Sequence, residues 1–258
     1  MKLFKTLLAI LFISLLSSPS WSVTLDDLVK RDDLYYEKFT DAPFNGKVTG
    51  KEQGSFNNGV KDGVWVSYWG NGQLFEKGNY KNGKQEGAWV RYRETGQLRS
   101  KGDFKNGKLE GAWLAYFENG QLSDKSNYKN SKLEGAWVSY WDNGQLMSKG
   151  NYKNGKEEGS WVTYYDNGQL WKNRNNKNDK REGTWVTYWD DGQLWFKVNF
   201  KNDEREGAYI SYGFDGQLRE KGNYKNDERE GAWVEYNSDG TVNKEGTGTF
   251  KDGEKISD

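Results

Sequence analysis

The sequence predicts an all-β protein: tandem β-hairpin repeats with a 24-residue period, about eight copies, forming an elongated antiparallel meander. Three observations predict it. Gly63, Gly87, Gly111, Gly135, Gly159, Gly183, Gly207 and Gly231 recur at one fixed interval, and an interval of this size marks stacked supersecondary units. Each interval holds two turn signals, Asn71-Gly72 and Asn82-Gly83 in the first copy, dipeptides that accept the positive φ of a tight hairpin turn. The segments between the turns are rich in Trp, Tyr and Val, which suit a pleated, half-buried surface.

Composition narrows the function classes. Only 34% of residues are hydrophobic, yet 16% are aromatic, so the apolar surface available for burial is mostly rings, and rings this dense argue against disorder. The 32 Gly against 2 Pro favour turns built from positive-φ residues. There is no Cys and no His, which removes disulfides, thiolate metal sites, cysteine nucleophiles and imidazole bases. No catalytic residue, metal or cofactor is expected. The 38 basic and 38 acidic residues cancel, so the totals carry no basic footprint for nucleic acid.

The chain opens with Lys2 and Lys5, an apolar run from Leu7 to Leu16, and small residues at Ser20 and Ser22. That is the form of a cleavable signal peptide over residues 1–22, cut after Ser22, and it predicts a secreted or periplasmic protein. The apolar run is about half the ~20 residues that a membrane span needs.

The repeat array is expected over residues 61–244. Two residues after each periodic Gly stands Trp65, Trp89, Trp113, Trp137, Trp161, Trp185, then Tyr209, then Trp233. Three residues further on come Tyr68, Tyr92, Tyr116, Tyr140, Tyr164, Tyr188, Tyr212 and Tyr236. If both turns hold two residues, pairing runs 69–74, 67–76 and 65–78 within a hairpin and 76–89 and 78–87 to the next. Because the period is even, equivalent residues return to the same face. The Trp row is then a ladder on one face with Leu74 and Tyr80, and each ring lies against a bare glycine backbone such as Gly78 or Gly102. Val66 and Tyr68 form ladders on the other face, beside Lys77 and Asn79. Sixteen strands at ~4.8 Å would span roughly 75 Å.

Residues 23–60 read as an N-terminal cap: a short helix over 25–31 after Thr24, then half a repeat in which Gly54 and Phe56 precede Gly78 and Tyr80 by one period. Residues 245–258 read as a C-terminal cap blunting the sheet edge. Copy five carries Arg174 in the glycine position and Asn175-Asn176 in place of Asn-Tyr. Copy six carries Val198 in that position.

The unit Glu86-Gly87-Ala88-Trp89-Val90-Arg91-Tyr92, Thr95-Gly96-Gln97-Leu98, Lys101-Gly102-Asp103-Phe104-Lys105-Asn106-Gly107 resembles the MORN repeat variant. This is the bacterial form found in YwqK-family antitoxins, and the resemblance covers about residues 50–253. It implies β-hairpin repeats in an elongated sheet, protein–protein contacts, and membrane or lipid association, with no shared catalytic residues. With an export signal, an antitoxin-like role fits a secreted toxin.

The expected function is a non-enzymatic extracytoplasmic module that binds or scaffolds another protein, with a glycan or a membrane surface as alternative partners and the oligomeric state open. The positions that vary between copies are where specificity would sit: Trp69, Trp141 and Trp189 in one row, Trp171 and Trp195 in another, with Phe196 beside them. Singly these rings are ordinary cross-strand partners; the run Trp171, Trp189, Trp195, Phe196 stands out. Lys77, Lys101, Lys125 and Lys149 form the basic stripe that a lipid surface would require, with acids nearby to screen it. For catalysis, Glu157-Glu158 and Asp190-Asp191 are adjacent in sequence and should point to opposite faces. The chain has no D-x-D-x-D-G loop for calcium.

Overall fold

The computed structural model describes residues 22–258; residues 1–21 of the signal peptide expected over 1–22 lie outside them. From Gly46 to Ser257 the chain is an antiparallel meander. Its ladders join strands that are neighbours in the chain, and among the described residues no ladder joins Glu254–Ser257 back to Gly46–Val48. The first copy shows the unit: Val60–Tyr68 pairs with Leu74–Lys81, which pairs with Lys84–Tyr92 of the next copy.

The two turns of the unit differ, although their sequences look alike. At Asn82-Gly83 both residues are left-handed, with φ of 50° and 75°, as a type I′ turn requires. Copies that use Asn178-Asp179, Asn202-Asp203 or Asn226-Asp227 keep the same geometry. The carboxylates of Asp179, Asp203 and Asp227 accept the backbone N–H of Glu157, Arg181 and Arg205 at 2.6, 2.7 and 2.9 Å, which offsets the strain of a side chain at positive φ. At the other turn only Gly72 is left-handed, φ 85°. Gly72 N–H donates to the Trp69 carbonyl and Trp69 N–H to the Gln73 carbonyl. The loop therefore holds three residues, Gly70 to Gly72, in a type I turn closed by a glycine bulge. The Asn71 side chain sets it by accepting the Gln73 N–H at 2.9 Å.

The register follows from these turns. Trp65 pairs with Gly78 and Ser67 with Glu76, as expected, but Tyr68 pairs with Leu74 because Phe75 is bulged. Cross-strand partners share a face, so Leu74 belongs with Tyr68 and not with the tryptophans. Between copies, Asn79 pairs with Glu86 and Lys77 with Val90, replacing the expected 76–89 and 78–87. Two extra residues are absorbed at Gly87, φ 69°. Two is even, so the faces downstream are unchanged.

Each tryptophan seats on the glycine of the preceding strand. A Cβ built on Gly54, Gly78, Gly150 or Gly222 would fall inside the ring of Trp65, Trp89, Trp161 or Trp233. These four rings are 1–3% exposed. Trp113 also covers Gly102 but meets it by one ring edge and is half-buried. Where Ser126, Arg174 and Val198 replace the glycine, the facing Trp137, Trp185 and Tyr209 are half-buried too. The interleaved row (Phe56, Tyr80, Phe104) makes edge-on contacts with Trp65, Trp89 and Trp113 at 5.2–6.1 Å, each adding about 0.5–1.5 kcal/mol to its area burial. Asn176 stands in this row and breaks it. Arg174 fills the gap, its guanidinium 5.2 Å from the Trp161 ring and 5.7 Å from Trp185, with Glu157 as its counter-ion at 3.0 Å.

The ends are built differently from the array. The helix expected over 25–31 is a single 3₁₀ turn, Leu25–Asp27, in which the Asp27 carboxylate accepts from the N–H and hydroxyl of Thr24. Leu28–Arg31 instead pairs with Leu34–Glu37 through Asp32-Asp33, both left-handed. This segment covers the first ring row: Leu28, Val48, Phe56 and Trp65 form one buried cluster. At the other end Gly248–Lys251 and Glu254–Ser257 form a last hairpin, and Phe250 packs with Tyr224 and Trp233.

Candidate functional site: an aromatic platform on copies five to seven

The residues at position 69 and its equivalents lie beside the glycine-bulge turns, and in four copies they have a structural task. Trp69 Nε1 donates to the Tyr92 carbonyl at 3.1 Å and Trp141 Nε1 to the Tyr164 carbonyl at 3.3 Å. The Tyr165 hydroxyl and the Arg93 guanidinium make the same bond, to Tyr188 and Tyr116, at 2.9 Å each. Each such bond ties one copy to the next. The loop asparagines add a second tie: the Asn71, Asn119, Asn143 and Asn167 side-chain amides donate to carbonyls one copy on, at 2.7–3.0 Å.

Copy six departs from this. Trp189 Nε1 is buried without a hydrogen-bond partner, and the ring stacks on Trp195, centroids 4.3 Å apart at 21°. Phe214 meets Trp189 edge-on at 5.8 Å, and Phe196 meets Trp195 at 5.4 Å. Trp195 is 38% exposed and Phe214 61%. Four rings thus converge on one patch that water reaches. Trp171, one copy earlier in the row of Trp195, is half-buried against Tyr165 at 5.7 Å, with Lys172 Nζ 4.6 Å over its ring. At ~9.6 Å per copy, Trp171 continues the line of the platform without touching it. Burial and the neighbouring Arg174 push the Lys172 ammonium below the usual lysine range. The sequence showed Trp171, Trp189, Trp195 and Phe196 as a run. Phe214 escaped notice because it sits inside a turn, where other copies carry Gly, Glu, Asp or Ser; that break in the column is its signal.

Of the carboxylates considered for catalysis, Glu157, Glu158 and Asp191 are engaged, Asp191 with the Gln193 backbone N–H at 2.9 Å, and Asp190 beside it lies in a turn and not on a strand. Glu157 pairs with Arg174, while Glu158 accepts the Asn178 backbone N–H at 2.9 Å. Glu158 is one of a row. Glu86, Glu110, Glu134, Glu182 and Glu206 each accept from the first residue of the next type I′ turn, at 2.7–3.1 Å. Near the C-terminal end Glu220 faces Glu235 across adjacent strands, with Arg229 at 3.9 and 3.1 Å; burial raises the Glu220 carboxyl above the usual glutamate range.

The MORN repeat variant pattern matches residues 61–82, 85–106, 109–130, 133–154, 157–177, 181–202 and 205–226. No curated protein matches the chain. Among solved structures, the crystal structure of TcdB2-TccC3 is similar over 80% of this chain and 14% of that one, at 13% identity and a TM-score of 0.21. The crystal structure of TcdB2-TccC3-Cdc42 is similar over 81% and 13%, at 14% identity and 0.20. The chain thus spans a small part of the solved chains it matches.

Proposed function

The chain belongs to the MORN repeat variant family, and we propose that it acts outside the cytoplasm as a non-enzymatic scaffold that binds another protein through the platform on copies five to seven. The observation that carries this reading is the patch of Trp189, Trp195, Phe196 and Phe214, partly open to water. Clustered exposed aromatics are costly on a surface without a partner, and rings of this kind dominate binding energy at protein interfaces. The ionic and hydrogen-bonding duties of Glu157, Glu158 and the acid row support a role without catalysis. The export signal in residues 1–22 supports the location.

Site-specific photo-cross-linking tests the reading. A benzophenone side chain replaces Phe214, or Val64, which is exposed at the far end of the array, in the full-length protein in its own cells. The expected result is one discrete protein adduct from position 214 and none from position 64. Equal, diffuse adducts from both positions would remove the platform from the account. Fractionation of the same cells tests the location: recovery in the cytosol would contradict export.

A further inference from the structure

The type I′ edge of the sheet carries an arrangement that packing does not explain. Lys81 faces Lys84 directly across the ladder, and the same pairing recurs at Lys105–Lys108, Lys129–Lys132, Lys153–Lys156 and Lys177–Lys180. Directly opposed like charges destabilise a sheet. All ten lysines are exposed, and none lies within salt-bridge distance of a carboxylate among the described residues. Glu86, Glu110, Glu134 and Glu158 on that side of the ladder accept turn N–H groups and form no ion pair with these lysines, so they offset the ammonium charge only from beyond contact distance. Beside the Lys105–Lys108 pair the surface opens into a cleft lined by Lys84, Lys105, Lys108 and Glu110 with Asn106 and Asn130. In the later copies the same position is Glu: Lys201 faces Glu204 and Lys225 faces Glu228. The fold therefore accepts the neutralised pair, and five copies in a row do without it.

We propose that this edge is a binding track for a linear acidic polysaccharide carrying one carboxylate or sulfate per disaccharide. The interval selects the class of ligand. Lysine pairs recur every two strands, ~9.6 Å, about the interval at which such a polymer presents its acid groups. Each group would sit between the two ammonium groups of a pair. Duplex DNA places one charge per ~1.7 Å of axis and would leave most phosphates unmatched. A flat anionic membrane would also press on the acid row just inside the lysines. Five pairs give a site of five disaccharides and a track of roughly 38 Å, ending where Glu204 begins. The track lies at the opposite edge from the aromatic platform, so it neither requires nor excludes that site.

Titration of the full-length protein with hyaluronan oligosaccharides of two to eight disaccharides tests the assignment. Affinity should rise with length up to about five disaccharides and then level, and it should fall steeply with salt. Replacing Lys84, Lys108, Lys132 and Lys156 with Glu, the residue that copies six and seven carry, should cost more than tenfold in affinity. The fold should be kept, read by an unchanged far-UV spectrum and a melting temperature that holds or rises. Replacing Lys77, Lys101, Lys125 and Lys149 with Gln should cost less than threefold. Tighter binding to phosphatidylserine-containing vesicles or to duplex DNA than to the eight-disaccharide chain would overturn the choice of ligand. Undiminished binding by the Glu variant, or equal loss in both sets of variants, would overturn the track.

Discussion

The first two copies and the pair formed by copies five and six run on the same template and solve its central packing problem differently. At Gly54 and Gly78 a bare backbone receives the Trp65 and Trp89 rings, which are almost fully buried. At Arg174 and Val198 a side chain occupies that seat, and Trp185 and Tyr209 stay half-exposed. The same stretch leaves Trp189 Nε1 without the inter-copy bond that Trp69 and Trp141 make, and lets its ring stack on Trp195. In these two regions the fully buried ring goes with a bare glycine seat, although Trp113 over Gly102 shows that glycine permits that burial without ensuring it. Where the glycine is lost, rings are left for other uses.

Removing a ring from each region sharpens that contrast most. Trp161→Ala takes away a ring 2% exposed on Gly150 and should cost about 3–5 kcal/mol. Trp185→Ala, over Arg174, should cost about half as much by the same reckoning. Thermal melts of the two variants check it; equal losses would break the comparison.

Next come two glycines that are needed for different reasons. At Gly150 a Cβ would strike the Trp161 ring, while at Gly111 it would meet nothing within 4 Å, but φ there is 77°. Gly150→Val should cost about 1–3 kcal/mol by overpacking, and Gly111→Val a similar amount by backbone strain. Asn separates them, because it tolerates the left-handed region: Gly111→Asn should recover most of the stability and Gly150→Asn none.

Smaller effects are expected from the carboxylates. Glu134→Gln weakens the 2.7 Å bond that holds the Asn154 turn and should cost about 1 kcal/mol, read as earlier amide exchange at that turn. Glu220 has a raised carboxyl pKa in the fold, burial being the main cause. Its favourable contribution is therefore present below the unfolded glutamate pKa and lost as pH rises through the folded value. Glu220→Gln should accordingly raise the melting temperature slightly at neutral pH, and the gain should vanish in acid. A gain that grows in acid would reverse the assignment.

Much of this was legible from residue order. The 24-residue spacing and the Trp and Tyr columns gave the repeat and both faces, and the even period protected the faces from errors of register. What stayed hidden was local. Asn71-Gly72 and Asn82-Gly83 share a dipeptide but not a turn, because the Asn71 side chain accepts the Gln73 N–H and draws the loop into type I geometry. That one change moved Leu74 to the tyrosine face. The helix expected after Thr24 stops after one turn because Asp32-Asp33 closes a hairpin whose strand begins at Leu28. In the site, Trp69 and Trp141 looked like Trp189 in sequence; only the positions of the Tyr92 and Tyr164 carbonyls separate a tie between copies from a free ring. The lysine pairs were in view as Lys-Asn-Gly-Lys, but a turn motif hides the fact that its two flanking residues face each other.

The central claim is that each hairpin closes only on its neighbours, with every ring returned to one face by an even period. Deletion of Gly135 to Glu158 removes one full period, and deletion of Gly135 to Glu157 removes one residue fewer. Far-UV spectra and thermal melts of the two proteins, side by side, test the claim directly. The account predicts a folded, cooperatively melting protein from the first and an unfolded or aggregated one from the second, in which every later tryptophan would face the wrong side. Two proteins folded to the same degree would contradict it.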